Sequence, residues 1–422
     1  MNRFMACVLS SCGACGGALT QLGHAFAMQA YLAVQGSDLA KAQQRLSRAR
    51  TVAAQVDDAG LKVRVALIEA YCAMLTGQPE GRDAILSVLR SAPEHFDEIY
   101  SSGYSNLGYL DVEQRRLVQA TDLLAVSLPL TVERDMPICR VWQLGSRARL
   151  QLLQGDWDAA VSDADAVLTG PSAPVARTWP LLVRALTSLR RDGTGEADLS
   201  EAWRLACRLG EPMRILPAAA AIAEASWLSG APDDRVEQYL TVLTEAPAAG
   251  LEWSRGELAV WLRRLGISVE LSDIAEPYRL LLDGAHQAAA DGFDRLHTPY
   301  DAALALADSG DPALARRALH TFDRLGAAAV AAKIRRDLRS DGIADIPARP
   351  RATTLANAAG LTRRQVDVLR LIGEGMTNAE LAQRLYLSVK TVDHHVSAIL
   401  MKLAVTGRRD AVRRGRELGI LT

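Results

Sequence analysis

The chain has 422 residues, too many for one ordinary domain, and 49% of them are hydrophobic against 23% charged. That is a globular composition, and no apolar run approaches the ~20 residues that a membrane span needs. The net charge of −1 hides an asymmetry: residues 361–422 hold eleven Lys/Arg and six Asp/Glu, a net of +5, so the preceding body is acidic at −6. A small basic tail on an acidic body points to a polyanionic partner for the tail alone.

At the N-terminus, Cys12 and Cys15 form a CxxC with Cys7 upstream, but no second ligand pair follows at zinc-finger spacing. The six cysteines therefore read as reduced thiols, without a metal site. The apolar stretch from Phe4 to Leu9 is shorter than the ~7–15 residues of a signal peptide core, so a cytoplasmic location is expected. Residues 1–18 are set apart as a segment of uncertain order.

From 19 to 338 no βαβ alternation appears, and helical periodicity dominates. A helix break followed by a small-residue-rich amphipathic helix recurs: QGSDLAKAQQRL at 35–46, QGDWDAAVSDADAVL at 154–168, SGDPALARRALHTF at 309–322. The breaks fall at Gly36, Gly77, Gln114, Gly155, Gly193, Gly230, Gly266 and Gly310, with gaps of 41, 37, 41, 38, 37, 36 and 44. A period near 39 held over eight marks predicts stacked helix pairs, a TPR-like α-solenoid, and the abundant alanine suits backbones packed closely. Trp142, Trp157, Trp203 and Trp261 read as core fillers, His286, His297 and His320 show no metal-ligand spacing, and Asp57 with Asp58 reads as a helix-ending turn. Residues 339–360, with Pro347, Pro350, Arg349 and Arg351, read as a linker.

The segment 361–403 announces three helices. Thr362 and Gln365 form one capping box and Thr377 with Glu380 a second, while Ser388 caps a third helix where Thr391 cannot close the box. Leu361 with Val366, Met376 with Leu381 and Leu387 with Val392 are the matching hydrophobic staples, and Gly375 ends the first helix. Three helices joined by sharp turns predict a helix-turn-helix. At about 100° per residue, Val392, Val396, Ile399 and Leu403 fall within roughly 60° of one another as the buried stripe of the third helix. Lys390, His394, Ser397 and Met401 lie opposite, with Asp393 on the flank, steadied by an ion pair to Lys390; Thr391 and Lys402 sit where phosphates pass.

This segment resembles the LuxR-type helix-turn-helix, carried by LT at 361–362, VL at 368–369, Gly375, TNAELA at 377–382, SVKTVDHHVSAIL at 388–400 and KL at 402–403. The resemblance implies duplex DNA as partner, base-edge contacts from Asp393, His394 and Ser397, backbone contacts from Lys390, Thr391 and Lys402, and a packing role for His395. It implies a fourth helix, about 408–418, as the dimer contact of a homodimer on DNA, and RNA polymerase as a further partner. Two departures stand out: Ala404 replaces the glycine that usually ends the recognition helix, and Gly407 replaces the usual Ser/Thr cap of the fourth. Less specifically, GELAVWLRRLG at 256–266, PYDAALALADSGD at 299–311 and DRLGA at 323–327 resemble the C-terminal half of large ATP-binding LuxR regulators. None of the five lysines stands in a GxxxxGK[ST] arrangement, so neither an ATPase nor a cofactor is expected.

The expectation is an all-α sequence-specific regulator, with TPR-like repeats sensing a ligand or protein partner and a four-helix reader at 361–422. The rival within nucleic-acid binding is a sigma factor, which would need an aromatic-rich promoter-melting helix, and the chain has five scattered phenylalanines. A repeat scaffold with a vestigial tail is the alternative of a different class. An enzyme is disfavoured by the absence of HExxH, GxSxG and any receiver-like framework.

Overall fold

The computed structural model describes residues 13–78, 80–93, 96–343, 346–347 and 359–421, with side chains from residue 17 onward. Cys12, the Cys15 side chain and residues 344, 345 and 348–358 of the linker lie outside these. Among the described residues there are 22 α-helices and no strand.

The helices come in pairs. The first are α1 (Gly13–Gln35) with α2 (Leu39–Ala53), α3 (Ala59–Leu75) with α4 (Glu80–Ser91), and α5 (Asp97–Glu113) with α6 (Leu117–Glu133). Next come α7 (Pro137–Gln154) with α8 (Trp157–Thr169), α9 (Pro174–Asp192) with α10 (Glu196–Leu209), and α11 (Pro212–Ser229) with α12 (Val236–Glu245). Each helix packs on its successor, and α1, α3, α5, α7, α9, α11 and α13 (Glu252–Arg264) also touch every second helix in sequence. The odd helices thus build one continuous layer, covered by the even ones, as a TPR-like stack requires.

The period near 39 has a backbone cause. Each predicted break lies at, or one residue before, a residue held in the left-handed region: Ser37, Gly77, Arg115, Gly155, Gly193, Gly230, Gly266 and Gly310. The first six each follow the first helix of a pair, where a left-handed residue lets the chain reverse. Gly266 follows α13 and Gly310 the helix that ends at Ala307, while Asp135 and Gly210 close second helices in the same way. Asp58, placed by sequence at a helix end, instead starts one: its carboxylate accepts from the Leu61 N–H at 2.6 Å and caps α3. Gly81 admits α4 against α3 so closely that a Cβ there would meet the Met74 nitrogen at 2.4 Å.

After Gly266 the register changes. The chain makes the short helices α14 (Glu276–Leu282) and α15 (His286–Arg295), then α16 (Pro299–Ala307), α17 (Pro312–Leu325) and α18 (Ala328–Ser340). These fold back on the middle of the layer: α16 packs on α7, and α18 on α9 and α11. The return is sealed by buried charge. Arg190 of α9 makes a two-pronged pair with Glu224 of α11 at 2.8 Å for both contacts, the Tyr300 hydroxyl donates to the same carboxylate at 2.5 Å, and Arg190 stacks on the Tyr300 ring at 3.8 Å. Arg264 pairs with Asp308 at 2.7 Å, and Arg115 and Arg149 converge on Glu257 at 3.2 and 3.3 Å. Trp157 and Trp261 are buried as expected, and Trp203 packs half-buried on the same core. Part of the predicted linker also docks: α18 runs to Ser340, Ile343 and Ile346 pack on the large core, and Arg335 donates to the Pro347 carbonyl at 2.8 Å.

Candidate nucleic-acid interface

The last four helices are α19 (Arg363–Gly373), α20 (Asn378–Leu385), α21 (Val389–Lys402) and α22 (Arg408–Glu417). Both capping boxes close: Thr362 and Gln365 bond reciprocally at 3.2 and 2.9 Å, and Thr377 and Glu380 do so at 3.4 and 2.7 Å. The Ser388 hydroxyl accepts from the Thr391 N–H at 3.1 Å and meets the Thr391 hydroxyl at 2.8 Å. Gly375 is left-handed, and the Met376 N–H returns to the Leu371 carbonyl at 3.2 Å to finish α19. Leu361, Val368, Leu369, Leu381, Val392, Ile399 and Ala411 are fully buried, with Val396 and Leu403 nearly so, in a cluster distinct from those of the repeats.

The two departures behave as their chemistry demands. Ala404 takes the left-handed conformation at φ 53° that a glycine would adopt freely, and Val405 N–H closes onto the Leu400 carbonyl. Gly407 starts α22 with no side-chain cap.

The outer face of α21 presents Lys390, Asp393, His394 and Ser397, all exposed, with Met401 77% exposed beyond them. Thr391 is half-buried at the helix start. His395 is half-buried too, and its imidazole titrates below the usual range because burial comes first, then the charges of Arg364 and His394. Two residues are engaged in ways the sequence does not disclose. Asp393 is not paired with Lys390: its carboxylate accepts from the Asn378 amide, and Asn378 in turn accepts from Arg408, which ties the starts of α20 and α22 to the reading face. Lys402 directs its ammonium to the Gly360 carbonyl at 2.8 Å and the Gln365 amide oxygen at 2.9 Å, so it clamps the end of α21 to the capping box of α19. An ammonium has three protons, which leaves one for a phosphate. Arg364 likewise holds the Leu385 carbonyl at 2.6 Å. Tyr386, in the turn before α21, is left-handed at φ 56° and 96% exposed.

A helix laid across two capped helices, with its polar face outward and its apolar stripe in their joint core, is a helix-turn-helix. Residues 359–414 match the family model described as bacterial regulatory proteins, luxR family, so the chain carries a LuxR-family helix-turn-helix domain at its C-terminal end. The transcriptional regulatory protein LiaR of Bacillus subtilis (strain 168) is 45% identical over 51 residues, 12% of this chain and 24% of LiaR. The transcriptional activator protein SolR of Ralstonia nicotianae is 40% identical over 65 residues, 15% of this chain and 28% of SolR. The HTH-type transcriptional regulator AlkS of Alcanivorax borkumensis is 38% identical over 74 residues, 18% of this chain and 8% of AlkS. The chain thus spans about a quarter or less of the length of most of the relatives it matches, and these short alignments speak for the reader. Among the described residues, no helix is long and apolar enough to cross a membrane, and no group of His, Cys, Asp and Glu is placed to hold a metal.

Proposed function

We propose that the protein is a sequence-specific DNA-binding transcription regulator whose helical repeats sense a ligand or a protein partner. The observation that carries this reading is the outer face of α21, where Lys390, Asp393, His394 and Ser397 stand exposed on a helix whose other side is locked into its own core. In this reading α21 enters the major groove. Asp393, His394 and Ser397 meet base edges, while Lys390, Thr391 and the remaining Lys402 proton meet phosphates. The net +5 of the segment supplies the salt-dependent part of the affinity. The protein acts as a homodimer on DNA, contacts RNA polymerase, and works in the cytoplasm without nucleotide hydrolysis; control comes from a shift in an existing equilibrium.

The test is a titration of wild type, Asp393→Asn and Lys402→Ala against operator and random duplexes at two salt concentrations. A carboxylate near phosphates is repelled, so Asp393 serves selectivity, by accepting from a cytosine amino group or by penalising sites without a donor. Asp393→Asn therefore tightens binding to random DNA and narrows the gap to the operator, whereas Lys402→Ala weakens both about equally. An unchanged specificity ratio for Asp393→Asn, or binding indifferent to salt, sinks the reading.

A further inference from the structure

An open cleft of about 670 Å³ lies between the α3–α4 and α5–α6 turns on one side and the starts of α13 and α14 on the other. Met74 and Leu75 form one apolar wall, Trp253 and Ile274 the opposite one, and Arg82, Arg116 and Arg295 bring positive charge. Two of these arginines are pre-set. The Arg82 Nε lies 3.0 Å from one oxygen of Asp111 and the Arg116 Nε 2.8 Å from the other, and the Asp111 side chain is 0% exposed. The shared carboxylate offsets the repulsion between the two guanidiniums, leaves the trio with a net positive charge and fixes their planes. Arg116 spends one terminal amino group on the Gln114 side chain. Its other one, and both of Arg82's, have no protein partner among the described residues.

We propose that this cleft binds a small anion-bearing molecule, whose carboxylate or phosphate seats on the open edges of Arg82 and Arg116 and whose apolar body lies against Trp253. Guanidinium edges match both oxyanions in two-pronged geometry, and a guanidinium already held by its own carboxylate loses little freedom on binding. Arg295, exposed on the rim, adds attraction. Glu252 and Glu276 also line the cleft, the former accepting from the Gly250 N–H at 3.1 Å. They offset the rim charge and make the cleft a poor seat for a polyanion, which favours a small ligand. The walls belong to different cores, Met74 and Leu75 to that of the first helix pairs and Trp253 and Ile274 to the large one. An occupant therefore fastens one to the other. The inference rests on the reading that the repeats sense a ligand, and gives that ligand a site and a chemistry.

The test uses the full-length protein, titrated calorimetrically with inorganic phosphate and with citrate, against sodium chloride at matched ionic strength. At least one probe binds beyond the chloride control, and which one binds separates a phosphate source from a carboxylate source. Arg82→Lys, which keeps a cation beside Asp111 but removes the fork, and Arg295→Ala, on the rim, each weaken that binding by at least about fivefold. Arg336→Ala, an exposed arginine of α18, leaves it unchanged. Binding of neither probe, or wild-type affinity in Arg82→Lys, overturns the site; phosphate held by the reader instead would survive both variants and counts as that second result. DNA affinity is read separately: an anion that binds the cleft without altering it upholds the site and refutes sensing through it.

Discussion

Ala404 holds a conformation that costs an L-residue about 1 kcal/mol over glycine, at the point where α21 must stop so that α22 can turn back. Its surroundings are solvent, so a glycine there loses no packing. Ala404→Gly is expected to stabilise the reader by about 1 kcal/mol, or about 4–8 °C in the midpoint of a unit of this size. A thermal melt of the segment 359–421 that shows no rise refutes the strain. His395 makes a second residue-level expectation. Burial, then Arg364 and His394, depress its folded pKa below the unfolded value of about 6.5. Such a base contributes stability that is fully present above the unfolded pKa and is lost as pH falls through that value toward the folded one. The reader's melting midpoint should thus drop as pH is lowered from about 7.5 to about 5.5, and His395→Gln should flatten the dependence. An equal slope in the variant assigns the pH effect elsewhere.

At the scale of elements, sequence reading succeeds where a signal is local and fails where it is spread over the fold. The caps at Thr362, Thr377 and Ser388 were legible because box and helix lie within four residues, and the stripe of Val392, Val396, Ile399 and Leu403 because helical period alone decides it. The pairing of Asn378 with Asp393 and Arg408, and of Lys402 with Gln365, joins residues 15 to 37 positions apart, and nothing in their types announces it. The helix pairs showed through the recurring left-handed turn, whereas the return of α16 and α18 onto α7, α9 and α11 left no periodic trace. That return depends on Glu224, 1% exposed, between Arg190 and Tyr300. Glu224→Gln leaves the Arg190 guanidinium buried without its counter-charge, a loss of about 3–5 kcal/mol. Urea unfolding should show the shift, and Arg190→Met combined with Glu224→Leu should recover much of it. A loss under about 0.5 kcal/mol in the single variant would show that the pair does not hold the return together.

For the whole molecule, the decisive feature is that the reader has a core of its own. Its buried side chains share a cluster with one another and not with the repeats, and three of its helices carry their own caps. The segment 359–421 should therefore fold in isolation and retain salt-dependent DNA binding, and calorimetry of the full chain should resolve its melting from that of the repeats. An isolated segment without helical circular dichroism contradicts this.

The aromatic residues divide along the same line. All seven tryptophans, from Trp142 to Trp261, belong to the repeats, while the reader's single aromatic side chain is Tyr386, standing 96% exposed before the recognition helix. The molecule thereby carries its own optical labels. Indole emission reports on the repeats and is blind to the reader, whose one phenol, Tyr386, is a label only in the isolated segment because the other eight tyrosines lie in the repeats. A change in indole emission when an operator is added would have to cross from one unit to the other, so a native, unlabelled sample suffices to detect the passage of the signal.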